Sequence, residues 1–358
     1  MKNALIFSKY WQGLGGGEEH LLYLIDWLAK NNYKVEIAWH DEGMLKKAEA
    51  RFGKKYSNNI FISPQFLQLG FIGRILKTRK FDLVINYSDG SSFFSLAKKN
   101  IIFALVPQKS LFPNDLITKI KNWNWEFITN SDFSAKNITK YIGKKVEVVF
   151  SPIEQKYLEN YSQKKEKIIL NVGRFFPHLH SKRQDVAISA FIKLKQISAA
   201  KDFQLVLIGG LQNEEKDYFQ KLQKLAGERD DIKFLPNASF EEMINYFAKA
   251  SFYWHCAGWG VDEEKNPQLA EHFGIAPLEA MACGCATLVY ENGGPAEIVK
   301  KYGGGMIYQT EEELINKTLS LINNEKLFSE ASKQANQMVQ NNFSYQVFEK
   351  KMEKLFTN

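Results

Sequence analysis

Glu271-His272-Phe273-Gly274-Ile275-Ala276-Pro277-Leu278-Glu279-Ala280-Met281-Ala282-Cys283-Gly284 reads as one short helix with both ends marked. Pro277 suits a first helical position, where a missing N–H is no loss, and Gly284 suits the residue just past the end. The largely apolar strand Ala286–Tyr290 follows directly. A short apolar helix feeding an apolar strand is the repeating unit of a parallel sheet covered on both faces.

Working outward, the same alternation fills the chain. Candidate strands upstream are Ile168–Val172, Gln204–Ile208, Lys233–Leu235 and Ser251–His255, with helices such as Asp185–Gln196 and Phe240–Lys249 between them. An earlier series comprises Ala4–Ser8, Val35–Trp39, Leu83–Asn86, Ile101–Val106, Phe127–Asn130 and Val146–Phe150. Helix Glu18–Asn31 carries Leu21, Leu22, Leu24, Ile25 and Leu28 at helical spacing. The expected architecture is α/β, two doubly wound Rossmann-like domains facing a central cleft. The expected boundaries are 1–155 and 165–340, with a charged linker around Gln163–Lys167. Residues 341–358 should form a terminal helix that packs back toward the first domain.

At 358 residues the chain is long enough for two domains, and its share of apolar and charged residues is that of a soluble globular protein. Cys256, Cys283 and Cys285 are too few and too irregular for a disulfide framework, and no second Cys or His pair gives zinc spacing. The first residues lack a signal-peptide h-region, and no window has the ~18 apolar residues of a membrane span. The expected location is the cytoplasm, with contact at the inner face of a membrane left open. Net charge is +7 and uneven. Residues 1–152 hold 22 Lys and Arg against 13 Asp and Glu, net +9, and the remainder 25 against 27, net −2. A lysine-rich solvated surface explains this most simply, and a face for anionic lipid or an anionic acceptor is the sharper reading. No nucleic-acid module is present.

The helix that opens near Gly274 presents backbone N–H groups and a positive dipole end, a seat for phosphate. Glu271 in the loop before it and Glu279, read as a first-turn residue, can face one ligand, one toward sugar hydroxyls and the other toward ribose. Taken alone they are equally a surface charge and a dipole-favoured helix-start Glu. Their neighbours decide. Glu271 through Glu279, then Ala280-Met281-Ala282-Cys283-Gly284, and Gly293-Gly294-Pro295-Ala296-Glu297-Ile298-Val299 resemble the E-x7-E and GG-x-x-E-(I/V)-V elements of the family 4 glycosyltransferases, glycosyl transferases group 1. The wording Gly258-Trp259-Gly260 and Glu271-His272-Phe273-Gly274-Ile275 is similar to a bacterial subgroup and to eukaryotic mannosyltransferases of lipid-linked oligosaccharides.

The resemblance implies a retaining, metal-independent GT-B transferase that moves a hexose from a UDP- or GDP-sugar to a glycan or lipid-linked acceptor in cell-envelope synthesis. A non-catalytic scaffold of the same fold, or an epimerase, are the alternatives. No cofactor or metal is implied, and no Asp-x-Asp occurs. Arg174 and Lys182 match the family's diphosphate cations, although the inserted Phe175–His180 leaves Arg183 as a second choice beside Lys182. The implied donor-binding set is Gly16, Gly17, Arg174, Lys182, Gly209, Glu271, Phe273, Gly274, Ile275, Ala276, Leu278 and Glu279. Arg174, Lys182 and Glu271 are its implied catalytic members. Gly15-Gly16-Gly17 after the first strand is the loop that in the family borders the pyrophosphate and acceptor. The family's histidine near the reacting sugar is missing from Phe103-Ala104-Leu105-Val106-Pro107. His20, His40, His178, His180 and His255 are the spare imidazoles, each more often a core or surface residue. Two aromatic-basic stretches, Phe66–Lys80 and Lys109–Phe127, either cover a sheet or lie on an anionic membrane.

Overall fold

The computed structural model describes residues 1–88, 90–178 and 181–356. The chain divides into two compact units: Met1–Pro152 with the chain from Phe348 onward, and Ile153–Val347.

The first unit is built on β1 (Lys2–Ser8), β2 (Tyr33–Ala38), β3 (Ile60–Ser63), β4 (Leu83–Ser88), β5 (Lys99–Ala104), β6 (Glu126–Thr129) and β7 (Val146–Val148). All pair in parallel, in the order β3-β2-β1-β4-β5-β6-β7. The central strands carry no polar-out alternation because both faces are covered: Ala4, Leu5, Ile6, Val84, Ile85, Ile101 and Ile102 are buried. The helix Gly16–Lys30 is buried without interruption from His20 to Ala29. Its outer side is covered by the terminal helix, whose Phe348 ring meets His20 and Tyr23 and whose Phe356 meets Trp27. Lys99 Nζ donates to the Leu355 carbonyl at 2.8 Å, and Lys351 pairs with Glu147 at 3.1 Å.

The second unit holds β8 (Glu166–Val172), β9 (Gln204–Gly209), β10 (Ile232–Pro236), β11 (Ala250–His255), β12 (Ala286–Tyr290) and β13 (Met306–Tyr308). Again every pairing is parallel, in the order β10-β9-β8-β11-β12-β13. Each sheet therefore reverses direction once, at β1/β4 and at β8/β11. Loops leaving such a pair diverge to opposite faces and open a crevice at the carboxyl ends of the strands.

Three expectations are corrected. The stretch Gln163–Lys167 is no free linker: Glu166 and Lys167 open β8, Lys165 Nζ donates to the carbonyls of Ala248 and Cys283 at 2.8 and 2.6 Å, and upstream Tyr157 is buried against Phe240 and Phe247. The edge strands β3 and β13 are additional; at four and three residues they are too short to show a pattern. The helix at Gly274 starts at Ile275, so Pro277 is its third residue and Glu279 its fifth. Gly274 holds φ +83° and turns the chain into the helix two residues before the proline. Proline is tolerated there because the third N–H has no intrahelical acceptor either.

The three cysteines are buried free thiols. Burial pushes the Cys256 pKa up to about 12, and Cys285 Sγ donates to the Phe247 carbonyl at 3.2 Å.

Candidate functional site

Beyond β8 the chain turns through Gly173 and Arg174 over the carboxyl end of the second sheet. Gly209 makes that turn possible: a Cβ on it would stand 2.0 Å from the Gly173 carbonyl oxygen. Gln184 Nε2 donates to the Gly173 and Arg174 carbonyls at 3.1 and 3.0 Å and holds the turn from the other side. The Arg174 guanidinium lies 4.6 Å from the Phe176 ring centroid and has no carboxylate partner among the described residues.

Lys182 returns across this turn. A Cβ on Gly173 would lie 2.3 Å from Lys182 Cγ, so the lysine stem rests directly on that glycine. Its ammonium pairs with Glu271, 89 residues away, and both side chains are largely removed from solvent. Arg183 is already engaged. Its Nε and Nη2 donate to the two Asp185 carboxylate oxygens at 2.9 and 2.8 Å, and its Nη1 donates to the Trp259 carbonyl at 2.7 Å. A bidentate fork of this kind anchors the start of the helix Gln184–Leu194, so Lys182 is the cation beside Glu271.

His255 closes β11 on the other side of the crevice. It is 3% exposed, and its Nε2 is buried with no hydrogen-bond partner. Burial lowers its pKa to about 4, with Glu271 acting upward and Lys182 downward in smaller measure. The imidazole is therefore neutral and within electrostatic reach of the ion pair. In the sequence it stood only among the spare histidines, because nothing linear ties it to Lys182 or Glu271.

The Glu271–Phe273 loop is fixed by glycines from the element that follows β12. Gly294 N donates to the Glu271 carbonyl at 2.8 Å, and a Cβ on Gly294 would stand 2.1 Å from the His272 carbonyl oxygen. Gly293 N donates to Glu263 Oε2 at 2.6 Å. Gly274 packs on Pro295, 2.5 Å from where its Cβ would be. Phe273 and Leu278 are buried, so these two expected site residues can offer only backbone, whereas Ile275 and Ala276 are partly open and carry the helix's free N–H groups. Glu279, in the second turn, has lost its dipole explanation, because the favourable effect fades beyond the first turn. Burial raises the Tyr253 hydroxyl well above its usual pKa, with Glu279 and then Glu271 adding to it, so both carboxylates lie within reach of one buried side chain.

Gly16 and Gly17 belong to the first unit, as the first two residues of the helix that follows β1. Gly15 N donates to Glu18 Oε2 at 2.8 Å, which caps the helix start. A Cβ on Gly17 would stand 2.2 Å from the Tyr87 hydroxyl and 2.9 Å from Leu105 Cδ1. Where the family's histidine is missing, Leu105 stands against Gly17, beside the Tyr87 hydroxyl. His20 is a core residue, edge-on to Phe103 at 4.8 Å, and burial lowers its pKa to about 3. His40 leans on Trp39, and His178 stands beside Phe176. His180 lies outside the described residues.

Residues 154–342, more than half of the chain, match the family described as glycosyl transferases group 1. The chain belongs to that family. Over 203 residues it is 29% identical to the Mus musculus protein named GDP-Man:Man(3)GlcNAc(2)-PP-Dol alpha-1,2-mannosyltransferase, covering 52% of this chain and 38% of that one. The Homo sapiens protein of the same name is 28% identical over 201 residues, covering 52% and 39%. This group 1 chain therefore spans well under half the length of the curated relatives it matches. Among solved structures, Anabaena Alr3699/HepE in complex with UDP superposes over 100% of both chains with TM-score 0.74 at 16% identity. A glycosyltransferase from Rickettsia africae gives 0.71 at 16%, over 100% of this chain and 99% of that one. The fold is GT-B, each unit a Rossmann-like domain.

Proposed function

We propose that this chain is a retaining, metal-independent hexosyltransferase, with GDP-mannose as its first candidate donor and a UDP-sugar as the second. Its acceptor is a lipid-linked glycan in cell-envelope synthesis at the cytoplasmic face of the membrane. The observation that carries the reading is the meeting of Lys182 with Glu271 over the β8/β11 crevice, with unpaired Arg174 leaving the same strand end. The names of the curated relatives support mannose, the guanine nucleotide and the lipid-linked acceptor.

When the glycosidic C–O bond breaks, the departing diphosphate gains negative charge. Lys182 exchanges its carboxylate partner for phosphate, Arg174 adds a second cation, and the free N–H groups of Ile275 and Ala276 complete the anion seat. Glu271, released from Lys182, accepts from sugar hydroxyls, and Glu279 accepts from ribose. No side chain is assigned as nucleophile. Leu105, in the stretch that lacks the family's histidine, favours a second reading, a GT-B protein that binds sugar nucleotide without turning it over.

Thermal shift with GDP, UDP, ADP and their sugars, with and without EDTA, tests the binding site. A ligand at about 100 times its Kd adds roughly 2.7 kcal/mol of stability. Stabilisation by one nucleotide that EDTA leaves unchanged is expected, and none by any of them would sink the donor site. Mass spectrometry of a lipid-linked acceptor after incubation with the stabilising donor separates the readings: a hexose gain marks a transferase, an unchanged acceptor and intact donor a binding protein.

A further inference from the structure

The helices of the two aromatic-basic stretches turn their apolar side chains the wrong way for sheet-covering elements. In the helix Phe71–Thr78 the buried residue is polar Thr78, while Phe71, Ile72 and Leu76 are 65%, 70% and 59% exposed. The helix Leu116–Lys121 has no buried residue, and Leu116, Ile117 and Ile120 stand out in solvent with Trp123 just beyond them, 73% exposed. The segment Ser92–Leu96 joins the two. Phe94 meets Phe71 edge-on at 6.1 Å, and Leu96 N donates to Thr78 Oγ1 at 2.9 Å. On the other side Asn124 Nδ2 donates to the Ser95 carbonyl at 2.9 Å and Trp125 Nε1 to the Phe93 carbonyl at 3.0 Å. Exposed Leu96 thus lies on a segment tied to Thr78 of the one helix and to Asn124 just past the other. An apolar pocket of about 320 Å³, lined by Leu69, Phe71, Ile75, Phe93 and Phe94 with Arg74, opens against that segment.

Large apolar side chains exposed together on neighbouring elements mark an interaction site. Its rim says what covers it. Residues 65–81 contain Arg74, Lys77, Arg79 and Lys80 and no acid; in residues 92–125, Lys98 pairs with Asp82 and Lys99 with Glu126, which leaves Lys109, Lys119 and Lys121 against Asp115. A second copy docked face to face would set lysine against lysine. A bilayer accepts the apolar side chains at the acyl boundary and the cations at its headgroups. No described helix is long and apolar enough to cross a membrane, so the contact is in the plane of the surface.

We propose that this face of the first unit seats on a bilayer rich in anionic lipid headgroups. The proposal names where a lipid-linked acceptor is met, and it stands on geometry independent of the donor site. The test is flotation of the full chain with vesicles of phosphatidylcholine alone or with about 30% phosphatidylglycerol, at about 0.1 M salt. The wild type is expected on the anionic vesicles and not on the neutral ones. Ile117→Ser with Ile120→Ser should weaken that binding at least ~10-fold, and Lys80→Glu with Lys119→Glu should weaken it and flatten its salt dependence. These side chains are exposed, so the melting temperature and any nucleotide-sugar shift should stay as in the wild type. A failed donor reading would remove that shift and leave flotation intact. Absence of flotation, equal flotation on neutral vesicles, or indifference to both double variants would overturn the proposal. So would a wild-type dimer in light scattering that Ile117→Ser with Ile120→Ser dissolves.

Discussion

Lys182 and Glu271 neutralise each other in a place that neither could occupy alone at low cost. Glu271→Gln leaves an ammonium without its counter-charge, and the expected loss is about 1–2 kcal/mol, below that of a fully enclosed pair because part of the lysine still meets water. Lys182→Met together with Glu271→Gln should recover part of that loss, so urea unfolding of Glu271→Gln, Lys182→Met and the double variant reads the coupling directly. Additive losses would mean that the ion pair is incidental. Arg174 makes the opposite case. It is exposed and has no carboxylate partner among the described residues, so Arg174→Ala should change stability by less than about 0.5 kcal/mol. If it meets the departing diphosphate, the same variant should slow hexose transfer roughly 10²-fold. A transfer rate equal to the wild type's would remove Arg174 from the site.

Between elements, close backbone approach does what side chains do elsewhere. Gly294→Ala forces a methyl group to 2.1 Å from the His272 carbonyl oxygen, and Gly209→Ala does the same at 2.0 Å from Gly173. Each should cost about 1–3 kcal/mol or more, since the obstacle is main chain and cannot rotate away. Gly294→Ala should in addition abolish nucleotide-dependent stabilisation by displacing Glu271; a variant that keeps the full thermal shift would show the loop to be tolerant. The same elements show how far the linear chain can be read. β8, β11 and β12 are legible because a strand buried on both faces is a short, mainly apolar run without polar-out alternation. β3 and β13 are not, since three or four residues at a sheet edge carry no period. The helix start at Ile275 escaped because it is set by φ at Gly274, which Pro277 outweighs in a reading of residue types. Glu271, Glu279, Arg174 and Lys182 stand out by their neighbours. The Lys182–Glu271 contact, the engagement of Arg183 with Asp185 and the burial of His255 are facts of tertiary placement and leave no linear signal.

The two units share one strand order, and each encloses a histidine held neutral, His20 in the first and His255 in the second. Their pKa values, about 3 and about 4, lie below the ordinary imidazole value of 6.5. Between those values and 6.5 the unfolded chain binds more protons than the native one, so stability falls as pH falls through this window and is regained above it. Across the window His20 contributes up to roughly 5 kcal/mol to that loss and His255 up to roughly 3 kcal/mol. The melting temperature should therefore drop between pH 6.5 and 4, and His20→Leu should lessen the drop; a curve parallel to the wild type's would show that His20 does not govern it. The terminal helix has a consequence for biosynthesis. The residues that cover Gly16–Lys30 lie almost two hundred positions after Pro152, so at about 5–20 residues per second the ribosome needs roughly 10–40 s to deliver them. Throughout that interval the nascent first unit shows Tyr23 and Trp27 uncovered, which makes it a natural client for a chaperone that binds exposed aromatic surface.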